Sequence, residues 1–333
     1  MMTGANRHSW SAGRRTRWWV TAAMAVLIAA ATGRGAPTAG VMDLQGAATP
    51  TAVTCGIPPP ASQTEATDGT GGAAVATPPA VATPGATAVD AMTAAALEAT
   101  VRALAACLSE GNSDVVAELA SGRYLGLLVG LGESLTAEEY VALAADLPVV
   151  PVTVRSVSGA AIDPSGVATA EVVYVVANQL VRARWTFVPV PATEARPAAD
   201  TGWRVDGEEI LPVDRPAAAS VRVELDEYEI GAEPETARGP DLVLRVRNVG
   251  EEDHEALVVR LEEGASAADL LQPGPELPSG ITFAGEIVVP AGEEADLVLV
   301  GLEPGAYALV CLFPDENGTP HLALGMEAAI TVR

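Results

Sequence analysis

The spacing of apolar residues changes character twice along this chain. Leu97, Val101, Leu104 and Leu108 recur at helical spacing, which predicts one apolar helix face over residues 91–110. Asn112-Ser113-Asp114 can cap a second helix, and Thr136-Ala-Glu-Glu139 is a capping box opening a third that ends before Pro148. The period then shortens to two. Residues 149–158 and 167–176 flank the turn Asp163-Pro164-Ser165-Gly166 and read as a hairpin. Residues 180–190 and 202–206 predict further strands, separated by a Pro/Ala-rich loop. Beyond a hinge at 212–216, strand signals dominate. Val221, Val223 and Leu225 alternate with polar residues, as do Leu242, Leu244 and Val246. Apolar stretches follow at 254–261, 283–289, 295–300, 306–311 and 327–332, with Pro290-Ala-Gly292 and Glu303-Pro-Gly305 as turns. About seven short strands of this kind predict a two-sheet sandwich.

The first 89 residues follow neither period. Arg14, Arg15 and Arg17 precede an uncharged, mostly apolar run over residues 18–31, with small residues at Ala29 and Ala31. That is the layout of an export signal. The run is shorter than the ~20 residues of a full membrane crossing, so a signal peptide is favoured and an uncleaved anchor is the alternative. Residues 32–89 are Pro, Thr, Ala and Gly with almost no large apolar side chain, a composition that predicts a disordered tether. The expected domains are therefore 1–31, 32–89, 90–213 and 219–333, and the expected location is secreted or held at the cell surface, outside the cytoplasm.

Composition narrows the function. A net charge of −24 argues against a nucleic-acid partner, because a phosphate backbone requires a basic face. Three cysteines, Cys55, Cys107 and Cys311, are too few for a disulfide framework. Cys107 falls on or beside the apolar helix face and is expected as a buried apolar residue, pairing with Cys55 being the lesser option. Of three histidines, His8 lies in the leader, so His254 and His321 are the imidazoles left for chemistry.

Helices followed by an antiparallel sheet closing on Gly202-Trp203-Arg204-Val205 resemble the NTF2-like α+β fold. That resemblance implies a cone with a pocket, where a small ligand could bind. No histidine and no acid/base pair stand out there, so no catalysis is assigned and the protein is expected not to be an enzyme.

A more specific resemblance begins at Leu244-Arg-Val-Arg-Asn-Val-Gly250 and His254, which is similar to the cupredoxin strand that ends in Asn and delivers the first histidine ligand. Val289-Pro-Ala-Gly292, Leu302-Glu-Pro-Gly305 and Tyr307-Ala-Leu-Val-Cys311 resemble the family's closing strands, followed by His321 and Met326. The resemblance covers about a third of the chain. It implies a Greek-key sandwich holding one copper ion, with Cys311 as thiolate, His254 and His321 as imidazoles and Met326 as axial sulfur. Thiolate, imidazole and thioether donors together favour copper by softness and geometry. Multicopper oxidases need many more histidines than the two present.

The chain departs from the family between Cys311 and His321. The family usually places two to four residues there, and this sequence has nine. Asn317-Gly318 is a tight-turn pair bracketed by Pro314 and Pro320, which predicts an outward hairpin that returns His321 to Cys311. Asp315 and Glu316 in that loop make a more open site, with a carboxylate or water ligand, compatible with the sequence. The expected function is copper handling or electron transfer with a redox partner or copper donor. The alternative is a metal-free binding or scaffold protein, tethered to the membrane if the leader is uncleaved. Acidic residues crowd the same domain, with Glu224, Asp226, Glu227 and Glu229 on its first strand and Glu251-Glu252-Asp253 before His254. They read as a solvated face, or as an attraction for cationic copper or a basic partner.

Overall fold

A computed structural model describes Cys55 and residues 85–190, 202–213, 218–273 and 277–333. The export segment and nearly all of the tether lie outside the described residues.

The amphipathic run forms helix α1 (Ala91–Glu110). Asp90 caps it by accepting the Thr93 N–H at 2.8 Å, and Gly111 ends it at φ +68°, a left-handed geometry that glycine adopts without Cβ strain. Its buried face carries Leu97, Val101, Leu104 and Cys107. Where one second helix is predicted there are two, α2 (Ser113–Leu119) and α3 (Gly122–Leu128), because the chain extends at Ala120 and restarts on the Ser121 cap. The Thr136–Glu139 capping box opens α4 (Ala137–Ala144) as its sequence requires.

The helices pack on an antiparallel sheet of β1 (Thr87–Ala88), β2 (Val152–Ile162), β3 (Ala168–Val176), β4 (Gln179–Pro189) and β5 (Trp203–Leu211), paired in that order. Ser109 of α1 locks helix to sheet, its Oγ accepting the Val152 N–H at 2.8 Å. Strand β1 lies inside the stretch read as tether, so ordered structure starts a few residues earlier than the apolar pattern implies. Its Thr-Ala pair is too short and too small to register as a strand signal.

Cys107 corrects a second expectation. It is fully buried, as read, but it is also disulfide-bonded to Cys55. The bond spans 52 positions of sequence and fastens the tether to α1, and the Cys55 N–H donates to Glu110 Oε1 at 2.9 Å. Spacing alone could not reveal a pairing made through a segment without secondary-structure pattern.

Residues 219–333 form two facing sheets. One contains β6 (Ala219–Asp226), β7 (Glu229–Glu233), β9 (Leu242–Asn248) and β12 (Glu294–Leu299), in order β12-β9-β6-β7, with β6 and β9 parallel. The other contains β8 (Thr236–Ala237), β10 (His254–Leu261), β11 (Ile281–Val289), β13 (Gly305–Val310) and β14 (Glu327–Val332), in order β11-β10-β13-β14-β8. The seven apolar stretches correspond to seven of these strands. The acidic β7 and the two-residue β8 add to them without an apolar signature. Val221, Val223, Leu225, Leu244, Val258, Leu309 and Ile330 fill the space between the sheets.

Strand β10 is buried on both faces. Ala256 and Val258 point into the sandwich, while Leu257 and Val259 join a second core shared with α1 and the first sheet. Double coverage explains why this stretch reads as a continuous apolar run rather than as alternation. Gln179 of β4 also pairs with Leu299 of β12, so the first sheet runs on into β12-β9-β6-β7 as one nine-stranded sheet. At the β3–β4 turn the Asn178 N–H donates to the Ala284 carbonyl, and its Nδ2 reaches the Val300 carbonyl at 3.0 Å.

Cutting the disulfide should release the constraint it places on the unfolded chain. Cys55→Ser and Cys107→Ser are each expected to lower unfolding free energy by about 2–4 kcal/mol, with no further loss in the double variant. Urea denaturation checks this, and full stability in Cys55→Ser would show that only the packing of Cys107 matters.

Candidate metal centre

Three of the four predicted donors converge at one end of the sandwich. His254 opens β10, Cys311 follows β13 directly, and His321 opens a short 3-10 turn, His321–Leu324, just ahead of β14. One ligand atom from each of the three lies within 4.8 Å of the others. The Cys311 Sγ stands 3.5 Å from His321 Nδ1 and 4.0 Å from His254 Nδ1. The three residues are 0%, 1% and 0% exposed for His254, His321 and Cys311 respectively.

Local bonding explains how each donor is held. Asn248 ends β9 fully buried, and its Nδ2 donates to the Glu252 carbonyl at 2.7 Å and the Val289 carbonyl at 2.9 Å. Those bonds fold residues 249–253 into a tight loop that delivers His254. The Glu227 carboxylate pins the same loop by accepting the Glu251 and Glu252 N–H groups, at 2.6 and 3.0 Å. These bonds, led by the one from Glu252, hold its pKa down to about 2. A Cβ at Gly250 would meet that carboxylate, so a larger residue there would displace the Glu227 side chain from the loop.

The long connection from Cys311 to His321 closes as the predicted hairpin. Pro314 and Pro320 bridge each other, the Gly318 N–H donates to the Asp315 carbonyl at 2.9 Å, and Gly318 adopts φ +82°. At the hairpin's base the His321 N–H donates to the Phe313 carbonyl and the Leu322 N–H to the Cys311 carbonyl, at 2.8 and 2.7 Å. Nine intervening residues therefore cost the cluster nothing in proximity. The Asp315 carboxylate corrects the expectation of a more open site with a further ligand. It accepts the Asn317 and Thr319 N–H groups at 2.8 and 2.7 Å, which employs it inside the turn, and the cluster itself is buried.

Met326 is fully buried in the same core as Cys311. Its carbonyl accepts the Cys311 N–H at 3.3 Å and its N–H donates to the His321 carbonyl at 3.0 Å, so its backbone belongs to the cluster's frame.

Several neighbours escaped the sequence reading. Tyr228 sits at φ +63° in the two-residue turn between β6 and β7, and its ring meets His321 edge-on with centroids 5.0 Å apart. A left-handed tyrosine is uncommon and marks a constrained position. The outer Nε2 atoms of His254 and His321 lie 3.7 Å from Glu227 and 3.4 Å from Glu252. Glu255, next to His254, is buried, and its Oε1 accepts the Leu312 N–H at 2.6 Å. A charged residue between His254 and an apolar run gave the one available signal for it.

The electrostatics describe a metal-free pocket. Burial, reinforced by the Glu255 carboxyl, pushes the Cys311 thiol up to about 12. Burial and the second imidazole lower His321 below its ordinary value. Burial raises Glu255 to about 7.

The donor set fits a single soft transition metal. Metal–sulfur and metal–nitrogen distances of about 2.3 and 2.0 Å, at angles between tetrahedral and trigonal, put donor atoms roughly 3.5–3.8 Å apart. The observed sulfur–nitrogen separations of 3.5 and 4.0 Å bracket that range. The Glu227 and Glu252 carboxylates lie beyond the two Nε2 atoms, neither of which makes a hydrogen bond among the described residues.

No family model and no curated protein matches the chain. Among solved structures, it is similar to dithionite-reduced auracyanin from the photosynthetic bacterium Roseiflexus castenholzii. That match has 17% identity and a TM-score of 0.27, covering 35% of this chain and 98% of that one. Auracyanin B matches at 21% identity and a TM-score of 0.27, over 37% of this chain and 94% of that one. Auracyanin A, described as a blue copper protein of Chloroflexus aurantiacus, matches at 18% identity and a TM-score of 0.24, over 34% and 99%. On its own strand order and buried His-Cys-His cluster, the C-terminal third of the chain is a cupredoxin-like sandwich.

Glu255 gives the metal-free protein a defined pH response. Its folded-state pKa exceeds the unfolded value, so its contribution is full below about pH 4.5 and is lost as pH rises through about 7. Glu255→Gln should flatten the fall in unfolding free energy over that window by an amount on the order of 3 kcal/mol. Urea unfolding at a series of pH values checks this, and an unchanged slope would mean the carboxyl ionises freely.

Proposed function

We propose that this protein works outside the cytoplasm as a copper protein of electron-transfer or copper-handling type, without turning over a substrate. The convergence of His254, Cys311 and His321 carries the reading. Cys311 would supply the thiolate, the two histidines their Nδ1 atoms, and Met326 a weak axial sulfur. Copper bound there supplies one-electron redox chemistry. The chain's own part is to bury the donors, hold the Glu227 and Glu252 carboxylates beside the imidazoles, and give up the Cys311 proton when metal enters. Among the described residues there is one mononuclear set, which favours a redox partner or a copper donor as the interacting species. The acidic loop around Glu251–Asp253 favours a partner with a basic contact face.

The Cys55–Cys107 bond supports an oxidising, extracytoplasmic location, since disulfides persist there and are rare in the cytosol. The leader-like first 31 residues agree, serving as a cleaved signal or as a membrane anchor. Within this reading the helices and first sheet act as an NTF2-like cone that shares its core with the sandwich and positions it.

Copper titration of the purified full chain tests the proposal. We expect one Cu(II) per chain, a thiolate-to-copper charge-transfer band in the visible spectrum, and loss of that band in Cys311→Ser. Retained folding with no stoichiometric copper, or undiminished binding in Cys311→Ser and His254→Ala, would leave the metal-free scaffold reading in its place.

A further inference from the structure

A cavity of about 140 Å³ lies where the helices, the first sheet and the sandwich meet. Tyr124, Tyr140, Tyr174, Trp185 and Phe283 line it with aromatic surface, and Glu286 of β11 contributes a carboxyl. Glu286 is 2% exposed, and neither of its oxygens finds a hydrogen-bond partner among the described residues. Its own N–H is already bonded to Gln179 Oε1 at 3.0 Å. A carboxyl without partners in such a place costs several kcal/mol unless something satisfies it. Of the two other carboxyls nearby, Glu208 accepts the hydroxyls of Tyr124 and Tyr174 at 3.4 and 3.2 Å, while Glu255 accepts the Leu312 N–H. Burial, together with the Glu255 carboxyl, pushes the Glu286 carboxyl well up, so a bound cation would return its charge.

We infer that this cavity binds a small organic ammonium ion, with Glu286 as the counter-ion and the aromatic cluster around its apolar body. Three observations fix that class. The unpartnered carboxyl offers two acceptor oxygens, which calls for a ligand with several closely spaced donors. None of the residues lining the cavity is positively charged, so the complementary charge has to come with the ligand. Aromatic walls hold cations better than they hold anions, and a cavity of this volume takes about one ring or a few carbons. Size and charge together select a primary amine with a single ring or a short chain. The cavity needs both halves of the chain, since Glu286 and Phe283 come from the sandwich and the other aromatics from the helices and first sheet. This inference does not rest on copper.

Isothermal titration of the metal-free full chain with benzylammonium, and with benzyl alcohol as its neutral counterpart, tests it. Benzylammonium should bind at one site at least tenfold more tightly than benzyl alcohol. In E286Q that preference should fall at least tenfold while benzyl alcohol changes less than twofold, and E286D should restore part of it. Equal affinity for the two probes, no binding of either, or an E286Q variant that keeps the preference would each overturn the proposal. If E286Q fails to fold by circular dichroism, E286D and the wild-type ratio decide. Cys311→Ser should bind the amine unchanged, so failure of the copper reading and failure of this one give different results.

Discussion

The site depends on a reciprocal clasp between β10 and the chain leaving β13. The ladder joining these strands runs from Leu257–Val310 to Leu261–Ala306 and stops short of the metal donors. Past that point the Glu255 N–H donates to Cys311 Sγ at 3.5 Å, and Glu255 Oε1 accepts the Leu312 N–H at 2.6 Å. Two bonds to one residue thus continue the pairing where regular strand geometry ends. They bring His254, from the start of one strand, against a thiol 57 positions later. Because Glu255 is buried to make the second bond, its carboxyl favours the protonated state, and the site inherits a buried acid beside its thiol.

Around that clasp, each loop is closed by side chains acting on backbone. Asn248 and Glu227 fold the approach to His254, and Asp315 folds the connection to His321. The volume between the sheets is filled by Leu309, Met326 and Ile330, and Phe313 of the connection to His321 packs against it. The acidic residues that appear in sequence as a solvated face therefore divide by role. Glu227 is structural, Glu252 reaches His321, and others on β6, such as Glu224, face solvent.

The two halves are joined more closely than their sequence boundary implies. One face of β10, β11 and β13 completes the sandwich, and the opposite face closes the core beneath α1. That arrangement buries Glu255 and Glu286 between the halves and forms the aromatic cavity. A metal centre and a ligand cavity accordingly sit on opposite faces of one sheet, with a pair of buried carboxyls between them.

Sequence alone determined the succession of helices and then strands, the Asn112 and Thr136 caps, seven of the sandwich strands, and His254, Cys311 and His321 as candidate donors. Those features are local or depend on rarity: periodicity, caps and turn pairs act within a few residues, and two imidazoles leave few choices. The Asn317-Gly318 hairpin was legible for the same reason. Tertiary structure decided the rest. The Cys55–Cys107 bond, the left-handed Tyr228, the clasp through Glu255 and the empty acceptors of Glu286 all join positions far apart in the chain or depend on which face a neighbouring element covers. Burial of a charged group follows from how two sheets and a helix layer stack, and no spacing pattern along a single strand records that.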